Sequence, residues 1–358
     1  MKFGIEFVPN EPVAHLSSYA KIAENAGFDF VWVTDHSNNR DVYATLAAIS
    51  LATQRIFVGA GVTNPYTRNP AVTASAIATI YEISGGRAVL GIGPGDKSTF
   101  ETLGISGDKP LTAIRECVSV FSDLFLGKTV SFDGEMVSLK GARIDFAKKM
   151  MENLPALSTS PVAQVSQISS VLPNSPSSST SSIPVYVGAQ GPKMLEMAGE
   201  VAAGVLINAS HPDDFKAALP LIENGSKKAN RNLKDIDIAA YTCFSMDDDS
   251  EAAIKKAAPV VAFIVVGAPD LILVRHGINP EIKKELAAEI SKSNFKALGG
   301  LVSDKMIDKF AIAGDAGFCE KRMKELEKSG VTQIVVGSPI GADKEKTISG
   351  IGEIIRDF

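Results

Sequence analysis

The sequence predicts an α/β fold of the (β/α)₈ TIM-barrel class, and three features of its pattern support this. Eight short runs of β-branched and aromatic residues end in Gly, Pro, Asn or Asp, and most precede a stretch with helical period. The runs are apolar along their whole length, which is typical of parallel strands covered by helices on both faces. Glycines, carboxylates and amides recur at their carboxyl ends, where barrel enzymes carry their active sites.

The eight predicted strands cover residues 3–8, 30–34, 56–60, 88–92, 184–187, 204–207, 236–242 and 333–336. Amphipathic helices are predicted between them, for example over residues 13–26, 71–83 and 193–201. Gly27, Gly85 and Gly86 stand where helix C-caps belong. An open, doubly wound sheet also alternates strands and helices, but the count of eight and the clustered polar residues favour the barrel.

Two segments interrupt the alternation. Residues 146–182 are rich in Ser and Pro and offer little apolar surface to offset their ordering entropy, so we expect a flexible surface insertion before the fifth strand. Residues from about 260 to 310 form two or three predicted helices between the seventh and eighth strands, more than one barrel helix needs. We expect them to form a cap near the active site of a single barrel domain spanning residues 1–358.

Charge and composition exclude several classes of partner. The chain has 36 basic and 41 acidic residues, a formal charge of −5 and no basic block, so nucleic acids and anionic membrane surfaces are not expected partners. The three cysteines are too dispersed for a disulfide framework, which fits a reducing compartment. The apolar runs fall short of the roughly 18–20 residues of a membrane span. With no signal-peptide pattern at the start, the sequence predicts a cytoplasmic protein.

Familiar catalytic motifs are missing from the sequence. The stretch from Gly91 to Asp96 resembles GxGxxG only weakly, because Asp96 stands where the last glycine belongs and its charge would repel a pyrophosphate. The sequence contains no GxSxG, Walker or HExxH motif. The four histidines, at positions 15, 36, 211 and 276, lack metal-ligand spacing, so no metal site is predicted.

Polar residues at the predicted strand ends are the candidate site. Glu6 lies within the first strand, where alternation turns it toward the barrel interior, and a carboxylate there is costly unless it is satisfied. Other candidates follow the second to sixth strands: Asp35, His36, Gly61, Val62, Thr63, Asn64, Gly93, Gly95, Asp96, Gly188, Ala189, Gln190, Gly191 and Asn208. Purely structural roles remain open for each of them: a paired carboxylate for Glu6, helix N-caps for Asp35 and Asp96, and turns for the rest.

Long segments of the sequence resemble a known family. They are MKFGIEFVPN, WVTDHSNNRDVY, GAGVTNPYTRNPAVTASAIATIYEISGGRAVLGIGPGDK, VYVGAQGPKMLE, GVLINASHP and GVTQIVVGSPIG. Together they resemble the F420-dependent methylenetetrahydromethanopterin reductases of the bacterial-luciferase-like barrel superfamily. The resemblance covers nearly the whole chain and lapses at residues 146–182. It implies hydride transfer from reduced coenzyme F420, an 8-hydroxy-5-deazaflavin, to methylenetetrahydromethanopterin in the one-carbon metabolism of methanogens.

The same resemblance implies where the deazaflavin binds. Its ring is expected against a bulge after the third strand with a non-prolyl cis peptide at Gly61–Val62, and Thr63 and Asn64 face its edge. Gly93, Gly95 and Asp96 fall on the next cofactor loop. The backbone of residues 188–191 is expected near the phosphate side of the coenzyme, with Asn208 and Ser210 as weaker candidates on the same rim. For His36, a cofactor contact and a loop-capping role are equally open.

The resemblance also makes Glu6 the expected proton donor. The methylene bridge of the pterin must open to an iminium carbon before it accepts hydride, and opening needs a proton on the leaving nitrogen. Asp35 and Asp96 then tune Glu6 or hold the two rings. A homodimer or homotetramer is expected. Two alternatives remain open: another deazaflavin or flavin barrel oxidoreductase acting on an alcohol, an aldehyde or a monooxygenation substrate, and a non-catalytic barrel.

Overall fold

A computed structural model describes residues 1–153 and 183–358. Its strands are β1 (Lys2–Phe7), β2 (Phe30–Val33), β3 (Phe57–Thr63), β4 (Ala88–Ile92), β5 (Val130–Asp133), β6 (Ser138–Ala142), β7 (Val185–Gly188), β8 (Gly204–Asn208), β9 (Asp237–Met246), β10 (Ala311–Gly314) and β11 (Gln333–Ile340). Eight of them pair in parallel in the order β11-β1-β2-β3-β4-β7-β8-β9, and β9 pairs with β11 to close the sheet. The closed ring confirms the predicted TIM barrel.

Helices surround the barrel. They are α1 (Val13–Ala26), α2 (Val42–Ala52), α3 (Pro70–Ile83), α4 (Lys97–Leu103), α5 (Pro110–Phe125), α6 (Ala147–Asn153), α7 (Pro192–Val201), α8 (Pro212–Lys228), α9 (Ser250–Gly267), α10 (Asp270–Arg275), α11 (Ile282–Ser291), α12 (Phe295–Leu301), α13 (Asp304–Phe310), α14 (Ala316–Lys328) and α15 (Lys344–Ile355). α1 ends at the predicted Gly27, whose φ of 100° is the left-handed conformation that glycine adopts freely. Among the described residues, no helix has the length and apolarity to cross a membrane.

Three strands lie outside the eightfold pattern and were not predicted. β5 and β6 form a separate antiparallel pair after α5. β10 adds in parallel to the far end of β9, where Ala311 pairs with Cys243 and Gly314 with Met246. β5 (VSFD) and β6 (SLKGA) contain polar residues, and β10 (AIAG) has a single β-branched residue, so none of them has the apolar, β-branched run by which the eight strands were predicted. β9 and β11 also run four residues beyond their predicted ends, to Met246 and Ile340.

The predicted insertion is wrong at its amino-terminal end. Residues Ala147–Asn153 form α6, and the side chains of Ala147 and Met150 are buried in the main hydrophobic core. The two residues lie three positions apart, on one face of the helix, and this face packs into the core. The remainder, residues 154–182, lies outside the described residues.

Between β9 and β10, the chain forms α9 to α13, more helices than the two or three predicted. They share a hydrophobic core of their own, in which Val261, Val265, Leu273, Leu286 and Leu298 are fully buried. The loop that joins α9 to α10 reaches the carboxyl end of the barrel, because Gly267 and Pro269 line a cavity there. We call this group of helices the helical cap.

An aromatic core fills the barrel interior. Trp32 stacks on Phe30, with ring centroids 5.8 Å apart, and meets the Tyr186 ring edge-on at 5.1 Å. Glycines on the neighbouring strand β3 make room for the indole. A Cβ atom added at Gly59 would lie 3.0 Å from Trp32 Cζ3, and one at Gly61 would lie 2.8 Å from Trp32 Cβ. The barrel is therefore a packed core and not a pore.

A polar network closes the amino-terminal end of the barrel. Asp237, the first residue of β9, is 2% exposed. Its Oδ2 accepts hydrogen bonds from Tyr186 Oη at 2.9 Å and Gln333 Nε2 at 2.8 Å, and Lys2 Nζ lies 3.3 Å away. Its Oδ1 accepts a hydrogen bond from the Thr332 hydroxyl. This buried carboxylate is thus satisfied at both oxygens, as burial of a charge requires.

Candidate active site

Two cavities open at the carboxyl end of the barrel. The first, of about 830 Å³, is mostly apolar, and we call it the apolar cavity; its lining is Gly61, Val62, Pro94, Leu111, Gly188, Ala189, Gln190, Gly191, Pro192, Lys193, Met194, Leu206, Asn208, Tyr241, Gly267 and Pro269. The second, of about 920 Å³, is the polar cavity, lined by Glu6, Phe7, Val8, Asn10, Glu11, Tyr19, Lys256, Val260, Ser338, Pro339, Ile340, Gly341, Ala342, Asp343, Lys344 and Glu345. Glu6 lines the polar cavity, and seven of the other predicted site residues line the apolar cavity.

The bulge after β3 forms one wall of the apolar cavity. The peptide bond between Gly61 and Val62 is cis, as expected. The carbonyl oxygen of Gly61 accepts a hydrogen bond from Tyr241 Oη at 2.8 Å. Both Gly61 and Val62 line the cavity, so this wall presents a backbone peptide and an isopropyl group to whatever binds there.

The glycines of the neighbouring loops make room for Val62. A Cβ atom added at Gly93 would lie 2.7 Å from Val62 Cγ2, and one added at Gly188 would lie 3.4 Å from Val62 Cγ1. Gly95 has φ of 77°, and a Cβ atom there would overlap the Phe100 ring at 2.2 Å. Gly93 and Gly188 therefore pack against Val62 of the bulge in this structure. The sequence analysis did not predict this packing.

The loop after β7 forms another part of the lining of the apolar cavity. Gly188, Ala189, Gln190 and Gly191 all line it, as does Asn208 at the end of β8, and Gln190 Nε2 donates to the Asn208 carbonyl oxygen at 3.2 Å. Gly191 is the N-cap of α7 and makes no side-chain capping bond. The amino-terminal end of this ten-residue helix therefore faces the cavity together with Lys193, a combination that suits an anionic group.

Glu6 lies inside the barrel on β1, as expected. Its side chain is 7% exposed, and its Oε2 accepts a hydrogen bond from the backbone N–H of Ser338 at 2.7 Å. Burial raises the pKa of the Glu6 carboxyl, and the hydrogen bonds from Ser338 and the charge of Lys344 only partly oppose that rise. Glu6 also lines the polar cavity. A carboxyl group in such a position can hold a proton closer to neutral pH than an exposed glutamate can.

Asp35 and Thr63 form a second polar pair. Thr63 Oγ1 donates a hydrogen bond to Asp35 Oδ2 at 2.7 Å. Burial raises the pKa of Asp35, and the Thr63 hydroxyl and the charge of Arg68 oppose the rise. Neither residue lines the two cavities. Asp35 caps no helix, because the N-cap of α2 is Asp41.

Three other predicted site residues point elsewhere. Asn64 Oδ1 accepts hydrogen bonds from the backbone N–H groups of Tyr66 and Thr67, each at 3.0 Å, so it shapes the turn after the bulge. Asp96 is exposed and is the N-cap of α4, accepting from the backbone N–H and the hydroxyl of Thr99 at 2.8 Å each. His36 is exposed and lines neither cavity.

Several lining residues were missed from the sequence. Tyr241 was counted only as part of the seventh strand, and Ser338 only as part of the loop after the eighth. The alternation of Ala239 and Tyr241 along β9 is a signal that turns the phenol ring inward, but nothing in the sequence indicates its partner on β3. Lys193 carries a charge that a search for anion-binding groups at a helix start would have found.

Comparisons with known proteins place the chain in a family. Residues 2–333 match the luciferase-like monooxygenase family. The chain is 49% identical over 356 residues to 5,10-methylenetetrahydromethanopterin reductase of Methanolobus tindarius, with 99% of each chain covered. It is 45% identical over 359 residues to the enzyme of the same name from Archaeoglobus fulgidus, covering 99% of this chain and 98% of the relative.

A solved structure gives the same result. The coenzyme F420-dependent tetrahydromethanopterin reductase of Methanopyrus kandleri superposes with a TM-score of 0.86 at 42% sequence identity, covering 100% of this chain and 99% of the other. Similarity of this extent leaves no long part of either chain unmatched. The chain belongs to the luciferase-like monooxygenase family and, within it, to the 5,10-methylenetetrahydromethanopterin reductases.

Proposed function

We propose that this protein transfers a hydride from reduced coenzyme F420 to 5,10-methylenetetrahydromethanopterin, giving 5-methyltetrahydromethanopterin, in methanogenesis and one-carbon metabolism. The reaction is reversible. The observation that carries the proposal is identity of 42 to 49% over essentially the full chain to reductases named for this substrate and cofactor. The buried Glu6, which lines the polar cavity, supplies the acid that the reaction needs.

The apolar cavity has the chemistry that a deazaflavin coenzyme requires. Val62, Leu111, Met194 and Leu206 present apolar surface to a planar ring system. The backbone of the loop after β7, the amino-terminal end of α7 and the ammonium group of Lys193 suit the anionic tail. We therefore assign the cofactor to this cavity, where it supplies hydride when bound.

Glu6 is the proton donor in this proposal. Opening the methylene ring places charge on the departing nitrogen, and a positioned carboxylic acid that protonates this atom lowers the barrier. Because burial raises the pKa of Glu6, the group carries its proton at higher pH than an exposed glutamate. In the reverse reaction, the Glu6 carboxylate takes the proton back as the ring closes.

The remaining candidates have supporting duties. The Asp35 carboxylate follows β2, and we assign it to holding the Thr63 hydroxyl at the end of β3, next to the bulge. We assign Asn64, Gly93, Gly95 and Asp96 to shaping the two loops on which the cofactor rests, and His36 to the rim. Gly61, Val62, Gly188, Ala189, Gln190, Gly191 and Asn208 are the proposed cofactor contacts.

The assay that tests the proposal is a direct one. Purified protein, reduced coenzyme F420 and methylenetetrahydromethanopterin are mixed without oxygen, and the absorbance of the oxidised coenzyme is followed. A rise that depends on the pterin is the expected result. A control with a simple secondary alcohol and oxidised coenzyme tests the alternative barrel oxidoreductase.

The outcomes of this assay distinguish the proposed reductase from the alternative barrel oxidoreductase. If the coenzyme binds but stays reduced with the pterin and turns over with the alcohol, the pterin assignment is wrong and the cofactor assignment stands. If the coenzyme does not bind at all, the cofactor assignment fails as well.

The proposal includes a cytoplasmic location and a homodimer or homotetramer. Exposed apolar side chains on the helical cap support assembly, since Phe263, Leu271 and Val274 are 49%, 55% and 61% exposed. Light scattering behind a size-exclusion column measures the assembly: a mass near 37.8 kDa contradicts it, and twice or four times that value is expected.

A further inference from the structure

Tyr241 spans the barrel interior. It extends from β9, while its hydrogen-bond acceptor, the Gly61 carbonyl oxygen, belongs to β3. Around the closed sheet, β11, β1 and β2 separate these strands on one side, and β8, β7 and β4 separate them on the other. The two residues thus stand on opposite walls, and the phenol ring bridges them at 2.8 Å.

The bridge lies at the wall of the apolar cavity and within electrostatic reach of Glu6. Tyr241, Gly61 and Val62 line the apolar cavity, whereas Glu6 lines the polar cavity from β1, the middle strand of β11, β1 and β2. Burial raises the pKa of Tyr241, and the charge of Glu6 adds to that rise, so the hydroxyl stays a neutral donor. Tyr241 thus lines the proposed cofactor cavity and also interacts electrostatically with Glu6.

Gly61 is tightly packed beside its hydrogen bond with Tyr241. A Cβ atom added there would lie 2.9 Å from Tyr241 Oη and 2.8 Å from Trp32 Cβ. Gly61 is therefore enclosed between an indole on the adjacent strand and a hydroxyl from the opposite wall. Removing the hydroxyl frees the carbonyl oxygen of the bulge and opens space on one side of it only.

We propose that Tyr241 is a positioning residue for hydride transfer, whose hydroxyl holds the Gly61 carbonyl so that the bulge sets the place of the deazaflavin ring beside Glu6. The inference rests on the proposed function, since it assigns the cofactor to the apolar cavity. Tyr241 contributes no proton and no electron pair. It acts only by fixing the position of the Gly61–Val62 bulge through its hydrogen bond to the Gly61 carbonyl oxygen.

Tyr241→Phe tests the proposal, and the barrel supplies a matched control. Tyr186 is also a tyrosine of the barrel interior with a hydrogen-bonded hydroxyl, but its partner is Asp237 at the amino-terminal end. Tyr186→Phe therefore removes an equivalent group away from the site. Each variant is measured in three ways: thermal unfolding, the Kd of oxidised coenzyme F420 by fluorescence anisotropy, and kcat and KM for the pterin.

We expect Tyr241→Phe to weaken coenzyme binding by about fivefold, the worth of one hydrogen bond, and to lower kcat by about 10- to 100-fold with little change in the pterin KM. Tyr186→Phe is expected to unfold at a lower temperature with Kd and kcat as in the unsubstituted protein. If Tyr241→Phe keeps both Kd and kcat, or if Tyr186→Phe changes them equally, the positioning role is wrong.

Gly61→Ala supplies a second approach if Tyr241→Phe yields no folded protein, because the added methyl group pushes against the same hydroxyl. If the Gly61–Val62 bulge positions the deazaflavin ring, the Kd of this variant for coenzyme F420 must rise. An unchanged Kd overturns the inference. Failure of the proposed function is distinguishable, since the unsubstituted protein then either binds no coenzyme F420 or binds it without oxidising it in the presence of the pterin.

Discussion

The two ends of the barrel each bury one carboxylate, and they treat it differently. At the amino-terminal end, Asp237 accepts hydrogen bonds from two hydroxyls and an amide and lies 3.3 Å from the ammonium group of Lys2. At the carboxyl end, Glu6 accepts a hydrogen bond from the backbone N–H of Ser338, and burial raises the pKa of the Glu6 carboxyl. The two side chains are 2% and 7% exposed, so burial alone does not separate them.

The difference lies in the partners and in the space around each group. Three hydrogen-bond donors and the ammonium group of Lys2 surround the Asp237 carboxylate, which makes it a fixed part of the amino-terminal end of the barrel. Glu6 faces a cavity and has few donors, so its neutral form competes with its ionised form and the group can exchange a proton. Asp237 is thus built as a structural carboxylate, whereas Glu6 has the surroundings that the proposed proton donor needs.

The largest expected effect is that of Glu6→Gln. We expect kcat to fall about 100- to 10,000-fold, because the amide cannot protonate the leaving nitrogen. Stability at neutral pH is expected to be unchanged or higher, since the folded state no longer buries an ionisable carboxyl. Steady-state kinetics and denaturant unfolding measure both. Coenzyme F420 binding serves as the control, and an undiminished kcat removes Glu6 from the mechanism.

Asp237→Ala is expected to have the opposite profile. Removing this carboxylate leaves buried donors and Lys2 without their partner, so the free energy of unfolding should fall by about 3–5 kcal/mol. The coenzyme Kd of the folded fraction should stay the same. Denaturant titration measures the first and fluorescence anisotropy the second. Asp237→Asn, which keeps an acceptor oxygen, is expected to lose less; a loss of coenzyme affinity in either variant would break the division between the two ends.

The pH dependence sharpens the same contrast. Because the Glu6 pKa is raised in the folded state, kcat for reduction of the pterin should fall as pH rises through that pKa, and this limb should vanish in Glu6→Gln. Stability has the same sign. The unfolded chain releases the Glu6 proton first, so the stability of the unsubstituted protein relative to Glu6→Gln is greatest below the ordinary value of 4.5 and declines as pH rises through the folded pKa. Unfolding titrations of both proteins across pH check this.

The smallest expected effect concerns Asp96. Asn is as good an N-cap as Asp, so Asp96→Asn should keep the stability of α4 and lower kcat by less than about tenfold through the lost charge. Asp96→Ala should also cost about 1 kcal/mol of stability, because the bonds from Thr99 are lost. Thermal unfolding and kcat are measured for both. A fall in kcat as large as that of Glu6→Gln would instead place Asp96 among the reacting groups.

Local sequence patterns were enough to predict the barrel fold and to select the end of the barrel where the two cavities open. The eight apolar runs indicate strands that are buried on both faces, and the glycines and polar residues after them indicate turns at one end of the barrel. Both are local properties of each segment. Glu6 was found in the same way, because a carboxylate that alternation turns into a core is visible along one strand. Residues Ala147–Asn153 show the limit of this reading, since Ser- and Pro-rich neighbours concealed a packed helix.

Only the tertiary structure decided which groups meet. Tyr241 and Gly61 are far apart in the chain, as are Glu6 and Ser338, and each pair is brought together by closure of the sheet. The structure also gives the acidic residues different surroundings: Asp237 belongs to a buried hydrogen-bond network, Asp96 is a helix N-cap, and burial raises the pKa of Glu6. Local periodicity encodes which face of an element is buried, whereas hydrogen-bond partners and pKa values depend on what lies opposite that face, and the closed barrel alone specifies it.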